Sequence, residues 1–155
     1  MHTEQQNILE RIRNHAGTRV TEGLSEEVVE RFLAKSPSLV RAISLAGEAF
    51  DELDDDDRKR LELPEEELCA VLQEDLLNFY PEGGISRYVP LGAAGPWIVT
   101  THGAVLHDSG GYGMLGMGHA PRGLLDAMAR PFPMANVMTP ALAHRRFTHR
   151  LRREI

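Results

Sequence analysis

The composition of the chain changes near residue 80, and this change most limits what the chain can fold into. Residues 1–80 hold 19 of the 23 acidic residues and only three of the 14 glycines, whereas residues 81–155 hold eight arginines against four acids. Glycine weakens the interior of a helix, and runs of like charge favour solvated surfaces. We therefore expect an acidic helical leader over residues 1–80 and a differently built, glycine-rich segment over residues 81–155.

The length and the apolar content of the chain allow one hydrophobic core. Of its 155 residues 42% are hydrophobic, and no run of 18 or more apolar residues occurs. The N-terminus lacks the cationic start and apolar stretch of a secretory signal. The single cysteine, Cys69, lies among apolar residues, which predicts an inert core thiol in a reducing compartment. We expect a cytoplasmic protein that does not bind membranes.

Apolar residues at helical spacing predict four helices in the first segment. The first covers residues 4–15, and the second follows Ser25, which we expect to cap it ahead of two acids. The third covers about residues 38–53, and the fourth begins at Pro64, where a missing N–H does no harm. The run Asp54–Asp57 lacks the alternating ligands, the glycine and the distal glutamate of a calcium loop, so we interpret it as a solvated connector.

The second segment predicts a small β-hairpin followed by two helices. Residues 97–107 contain two short β-prone runs around the turn-forming pair His102-Gly103. One helix is expected over about residues 121–129 and another over about residues 140–155, where apolar residues recur every four positions. Together the two segments predict an α+β fold in which helices dominate.

Histidines and arginines of the second segment suggest two further sites, neither of which we adopt. His102 and His107 have the odd spacing that places them on opposite faces of extended strands, and no cysteine or acid completes a metal site with His119. Five arginines give the last helix a basic face: Arg145, Arg146, Arg150, Arg152 and Arg153. Because the whole chain is acidic and no aromatic residues interleave, we expect a solvated face, with no bound metal and no nucleic acid.

A stretch rich in glycine, residues 108–119, is the strongest signal in the sequence. Five glycines within nine residues mark a backbone path that other residues cannot follow, or one that other atoms approach closely. Part of this stretch, Gly111-x-Gly113-x-x-Gly116, matches the dinucleotide-binding fingerprint letter for letter. That fingerprint needs its third glycine inside a helix, and Pro121 starts the helix later, so we keep dinucleotide binding only as an alternative.

An ordered pattern joins the hairpin to the helix that follows it. The pattern consists of Gly95-x-Trp97, Gly103, Asp108, the glycine-rich stretch and Gly118-His119-x-Pro121. In this order and spacing, residues 90–155 resemble the N-terminal part of class III aminotransferases, the ornithine and 4-aminobutyrate type, which are pyridoxal-phosphate enzymes of fold type I. Residues 136–140 resemble the family's sequence ahead of its next helix. The second histidine of the family's common G-H-x-H-P form is absent.

The resemblance implies an enzyme that transfers an amino group from an amino acid or amine to an α-keto acid. In this family the glycine-rich loop borders the substrate cavity, which implies that Tyr112, between Gly111 and Gly113, contacts the substrate. Asn136 and Met138 fall in a segment that lies near the cofactor, pyridoxal phosphate, or near the dimer interface. The resemblance also implies a homodimer, or a partner that supplies the enzyme's large domain.

The lysine content argues against activity of this chain alone. The family's cofactor forms a Schiff base with a lysine amine far downstream, in a large parallel-sheet domain. The lysines of this chain are Lys35 and Lys59, both in the acidic segment. We therefore interpret residues 81–155 as an incomplete aminotransferase-like domain with no catalytic residue and no covalently bound cofactor. The alternative is a non-catalytic helical interaction module.

Overall fold

The computed structural model describes residues 4–74, 86–109, 116–131 and 140–155, and it divides into two compact units, Met1–Arg122 and Gly123–Ile155. The elements are α1 (Glu4–His15), α2 (Glu26–Leu33), α3 (Pro37–Glu52), α4 (Asp55–Arg60), α5 (Glu65–Gln73), β1 (Pro90–Ala94), β2 (Trp97–Thr100), β3 (Val105–His107), α6 (Arg122–Met128) and α7 (Leu142–Glu154). Over these described ranges the fold is α+β, and helices dominate it, as the sequence predicts.

Helix α3 lies at the centre of the first unit. Its apolar residues recur at spacings of three and four, and Leu39, Ile43 and Ala46 are completely buried. Helix α1, which buries Leu9 and Ile12, and the strands β1 and β2 all pack against α3. Burying one large aliphatic side chain contributes about 1.5–3 kcal/mol, so the side chains buried between α3, α1 and the sheet stabilise the unit.

Three antiparallel strands form a meander in the order β1-β2-β3. Strand β2 is buried along its whole length, and its residue Trp97 pairs with Ala94 of β1 and with His107 of β3. Strands β2 and β3 form the predicted hairpin. Strand β1 is not predicted, because glycine and alanine have a low propensity for strands. Gly92 of β1 is required by packing, since a Cβ at this position would overlap with the backbone of Ala46 in α3.

One hydrophobic core joins residues from both sides of the expected division at residue 80. Ile43 and Phe50 of α3 share this core with Ala94, Trp97 and Val99 of the strands. The acidic helices and the hairpin therefore belong to the same unit, which extends to Arg122. The structural units differ from the segments 1–80 and 81–155 because charge and glycine content change along the sequence without following the core.

The four helices that the sequence predicts in the first segment begin close to where it places them, but their caps differ. Helix α1 has the predicted bounds, and α2 begins after Ser25, whose side chain makes no capping hydrogen bond. At α3 the cap is Ser36, whose Oγ accepts a hydrogen bond from the backbone N–H of Leu39 at 3.3 Å. Helix α5 follows Pro64.

The run Asp54–Asp57, predicted as a solvated connector, is mostly exposed, but it begins helix α4 and is not a loop. Asp54 caps the helix and accepts a hydrogen bond from the backbone N–H of Asp57 at 2.8 Å. Acids fill the first turn and the bases Arg58, Lys59 and Arg60 fill the last, which is the order of charge that a helix dipole favours. The sequence contains this order, but a run of acids is equally typical of a solvated loop.

The second unit contains α7 and all of α6 except its first residue. Both helices occur where the sequence predicts them. Leu124, Leu125 and Met128 of α6 are exposed, and no described residue between 123 and 155 is buried. None of the helices in the described ranges has the length and apolar character needed to cross a bilayer.

Candidate functional site

Two distant parts of the ordered pattern, Gly95 and His119, lie next to each other in the structure. Gly95 and His119 exchange two backbone hydrogen bonds: the N–H of Gly95 donates to the carbonyl of His119 at 2.9 Å, and the N–H of His119 donates to the carbonyl of Gly95 at 2.8 Å. Nearby, the N–H of Asp108 donates to the carbonyl of Pro96 at 2.7 Å. Parts of the pattern that are distant in the sequence are therefore in direct contact.

A carboxylate and an imidazole meet beside this backbone contact. Nε2 of His119 lies 3.0 Å from Oδ2 of Asp108, and 23% and 24% of the two side chains are exposed. Because a carboxylate only accepts hydrogen bonds, Nε2 carries the proton and donates it. His119 thus ties the end of β3 to the segment ahead of α6.

The backbone on both sides of His119 is left-handed. Gly118 has φ +71°, and a Cβ there would lie 2.8 Å from Cα of Gly95, so glycine is required for the close approach. Ala120 has φ 45°, a conformation that costs a residue with a Cβ roughly 1–2 kcal/mol. The contacts of His119 must outweigh this local cost.

The histidine of the hairpin turn, His102, is buried and hydrogen-bonded at both ring nitrogens. Nε2 donates to the carbonyl of Leu63 at 2.9 Å, and Nδ1 accepts from the hydroxyl of Thr101 at 3.1 Å. His107 instead packs edge-on against the ring of Trp97, with the ring centroids 4.9 Å apart. Within the described ranges, no three His, Cys, Asp or Glu residues are arranged to hold a metal ion.

Trp97 of the pattern connects the hairpin to the helices. Its indole Nε1 donates a hydrogen bond to Oγ of Ser36 at 2.9 Å, and its ring lies 5.1 Å from that of Phe32 at the end of α2. The side chain is 3% exposed. Ser36 therefore serves two elements at once, as the cap of α3 and as the partner of the indole.

The sequence does not single out Glu65, whose carboxylate is the most deeply buried among the described residues. Its Oε2 accepts hydrogen bonds from the backbone N–H groups of Val20 and Thr21 at 2.8 and 2.7 Å, and its own N–H donates to the carbonyl of Thr18 at 2.9 Å. The loop between α1 and α2 is thereby fastened to α5. An acid in the first turn of a helix is typical of an exposed partner of the helix dipole, so no sequence signal distinguishes Glu65 from Glu66.

The substrate-contacting residue that the resemblance implies, Tyr112, lies outside the described residues, together with Gly111 and Gly113. Asn136 and Met138 also lie outside them. The last glycine of the dinucleotide fingerprint, Gly116, is described and lies in a turn, and the next helix begins only at Arg122.

Neither lysine lies in an enclosed site. Lys35 follows α2, Lys59 lies in the last turn of α4, and both are exposed. A lysine that forms a Schiff base is activated by desolvation or by a neighbouring cation. The described residues therefore do not fit a site that holds pyridoxal phosphate covalently.

The thiol of Cys69 is buried in α5 and is unsuited to nucleophilic chemistry. Burial raises the pKa of this thiol, and the nearby carboxylates of Glu65 and Glu66 raise it further. The thiol form therefore persists at neutral pH, where a reactive cysteine would need a lowered pKa.

The arginines predicted to form a basic face lie on one side of α7. At 100° per residue, the five arginines share one arc of the helix, and the opposite arc carries Ala143, Phe147, Leu151 and Ile155. All of these residues are exposed, including 65% of Phe147. The helix is thus amphipathic with an exposed apolar stripe.

Comparison of the chain with protein-family models, with curated proteins and with solved structures finds no match in any of the three. The case for a function therefore depends on the residues of the pattern and on their geometry. Within the described residues, Gly95, Asp108 and His119 belong to the sequence pattern, and His119 contacts both of the other two.

Proposed function

We propose that the chain is the N-terminal portion of a pyridoxal-phosphate-dependent aminotransferase of fold type I, which transfers an amino group from an amino acid or amine to an α-keto acid. The observation that carries this proposal is the contact of Gly95 with Gly118 and His119, the two ends of the sequence pattern. A chance match has no reason to bring its residues together, whereas a pattern that encodes a fold does. Each residue also suits its place: Gly118 permits the close approach, and Trp97 fills the core.

In this proposal the glycine-rich stretch borders the substrate cavity. Tyr112 hydrogen-bonds a carboxylate or amine of the substrate through its hydroxyl, and Gly111 and Gly113 let the substrate approach the backbone closely. Asn136 and Met138 lie near the cofactor or near the subunit interface. This chain contributes binding residues and no catalytic residue.

The lysine that holds the cofactor comes from outside this chain. Lys35, which follows α2, and Lys59 of α4 are both exposed, so the chain is inactive until it is joined to a large domain, within one polypeptide or as a partner. We infer that the assembled enzyme is a homodimer and that it acts in the cytoplasm, where Cys69 stays reduced.

The isolated chain tests the argument about the lysines. After mixing with pyridoxal phosphate and gel filtration, we expect no aldimine absorbance and no amino transfer between an amino acid and an α-keto acid. The double variant Lys35→Arg, Lys59→Arg is the matched control and should give the same spectrum. A stable aldimine band in the unmodified chain that the double variant lacks would contradict the account of the lysines.

The coding sequence beyond Ile155 tests the proposal itself. We expect it, or an adjacent gene, to encode a large domain with a Schiff-base lysine, and we expect the joined protein to transfer amino groups with ping-pong kinetics. A stop codon directly after Ile155 with no aminotransferase gene nearby would overturn the proposal.

The joined enzyme also tests the role of Tyr112. Removing one hydrogen bond to a charged substrate group costs about 1.5–3 kcal/mol, so Tyr112→Phe should raise the KM for the amino donor about tenfold or more with kcat little changed. Tyr88→Phe is the matched control, because Tyr88 lies outside the pattern. An unchanged KM in the Tyr112 variant would remove this residue from the substrate site.

The second candidate is a non-catalytic interaction module, which the exposed apolar residues of α6 and α7 favour. In that case Phe147→Glu should abolish an association of the isolated chain that sedimentation detects, while Arg150→Glu should weaken it in a salt-dependent manner. A chain that remains monomeric at all concentrations would count against self-association as the purpose of this surface.

A further inference from the structure

Helix α7 carries an exposed apolar stripe that is bordered by arginines on both sides. At 100° per residue, the stripe covers an arc of about 120° and consists of Ala143, Phe147, Leu151 and Ile155. Arginines occupy the arc next to each of its two edges, and every one of these side chains is exposed. The helix therefore presents apolar and positively charged surfaces side by side along its length.

The five arginines of α7 are not explained by contacts within the described residues. None of them forms an ion pair with a described residue, and the helix contains one acid, Glu154. Arg152 and Arg153 suit the negative end of the helix dipole, whereas Arg145 and Arg146 lie near its positive end. Like charges three or four positions apart also repel one another. An anionic surface that binds these arginines would relieve this repulsion.

The unit that contains α7 leaves its apolar side chains exposed. No described residue between 123 and 155 is buried, and Phe147 of α7 and Met128 of α6 are 65% and 73% exposed. Residues 123–155 also hold six arginines against two acids, whereas residues 1–122 hold 11 basic and 21 acidic residues. The positive charge of the chain is thus concentrated in the segment whose apolar side chains are exposed.

The combination of charge and apolar stripe indicates what kind of surface α7 contacts. A nucleic acid would bind the arginines and leave Phe147 and Leu151 in water. A protein would need a groove that fits the stripe, whereas a lipid surface adapts to any arrangement of exposed side chains. Basic amphipathic helices lie in the plane of the membrane interface, with apolar residues at the acyl chains and cationic side chains extended to the headgroup phosphates.

Binding to the surface of a membrane requires less of a sequence than crossing the membrane does. The expectation that the chain does not bind membranes followed from the lack of an apolar run of 18 or more residues, which a helix needs in order to cross a bilayer. A helix that lies on the surface needs only one apolar face. The cytoplasmic leaflet is the anionic one, which agrees with the location inferred above.

We propose that α7 binds the surface of a bilayer that contains anionic phospholipids. The helix lies parallel to the surface, Phe147 and Leu151 enter the boundary between headgroups and acyl chains, and the arginines bind lipid phosphates. This interaction goes beyond the proposed amino transfer and does not depend on it.

Co-sedimentation of the full chain with phospholipid vesicles tests the proposal. One set of vesicles is phosphatidylcholine alone, and the other contains about one third phosphatidylglycerol, which supplies the negative charge. We expect the chain to bind the anionic vesicles at least about tenfold more tightly than the neutral ones. In about 1 M salt, where charges are screened beyond about 3 Å, most of this difference should disappear.

Matched variants locate the binding surface on the chain. Phe147→Ser removes the largest apolar side chain of the stripe and should lower the affinity for anionic vesicles about tenfold, and Arg150→Glu should lower it about as much. Leu72→Ser and Lys35→Glu make comparable changes at exposed positions of the first unit and should leave binding unchanged. We expect the urea midpoint of each variant to lie close to that of the unmodified chain, because all four side chains are exposed.

Equal binding to neutral and anionic vesicles would overturn the proposal, and so would no binding to either. Full binding by Phe147→Ser or by Arg150→Glu would also overturn it, because the proposal requires both the stripe and the charges of α7. Self-association that Phe147→Ser abolishes, without vesicle binding, would assign the stripe to a second copy of the chain instead. The measurement uses no amino acid and no cofactor, so its failure would leave the proposed function as it stands.

Discussion

The local sequence gives no sign that Glu65 is buried. Replacing Glu65 therefore tests whether its contacts stabilise the fold. Glu65→Ala removes the acceptor of the N–H groups of Val20 and Thr21, and losing these two hydrogen bonds to a charged group should cost about 2–4 kcal/mol in total. Urea unfolding measures this loss. Glu67→Ala, an exposed acid in the same helical turn, is the control and should cost about 0.5 kcal/mol or less. Equal losses in the two variants would contradict the role of Glu65.

The raised pKa of the Cys69 thiol predicts how the stability of the chain changes at alkaline pH. Its pKa is raised by burial and by two carboxylates, so the folded chain holds the thiol proton more tightly than the unfolded chain does. This contribution is fully present below the unfolded-state pKa of the thiol and is lost as the pH rises through the folded-state pKa. We expect Cys69→Ala to lower stability at neutral pH through the cavity it leaves, and to flatten the alkaline decline in urea midpoint. Parallel declines in both chains would contradict this expectation.

At the scale of single elements, Ser36 and Ser25 both precede a helix, but only the side chain of Ser36 forms a capping hydrogen bond. Oγ of Ser36 accepts both the N–H of Leu39 and the indole N–H of Trp97, so Ser36→Ala should cost about 2–3 kcal/mol. Ser25→Ala should cost about 0.5 kcal/mol or less, because this side chain makes no capping bond. Denaturation followed by the fluorescence of the single tryptophan measures both. A larger loss at Ser25 would reverse the assignment of the caps.

The elements that the sequence predicts are those whose signals are local. Helix α1 and the hairpin follow from apolar spacing and from a glycine turn, and α6 and α7 follow from the prolines ahead of them. Strand β1 depends on a distant contact, because the backbone of Ala46 in α3 leaves no room for a Cβ at Gly92. No local rule for strands identifies such a residue.

The candidate site shows the same division between local and distant information. The order of glycines around Asp108 and His119 indicates a special backbone path, so the sequence draws attention to this part of the chain, whereas the predicted contact residue Tyr112 lies outside the described residues. It does not show that Asp108 and His119 bond to each other, or that Gly95 lies against Gly118. These contacts arise only when the chain returns to the hairpin.

For the whole molecule, the boundary of the core decides which parts of the chain can fold alone. Among the described residues, every member of the hydrophobic core lies before Arg122, and the strands supply Ala94, Trp97, Val99 and Val105 to it. Residues 1–122 alone should therefore unfold cooperatively with the urea midpoint of the full chain. Residues 1–80 alone should not, because α3 would lose the sheet that covers its buried face.

The two shortened chains are compared by circular dichroism and urea titration, with the full chain as reference. The expected result is a sigmoidal transition for residues 1–122 and a gradual loss of helicity for residues 1–80, because short helices without tertiary contacts are marginal in water. A cooperative transition in residues 1–80 would mean that the acidic helices are an independent leader, as charge and glycine content alone suggest. Loss of cooperativity in residues 1–122 would instead mean that α7 and the residues around it contribute to the fold of the first unit.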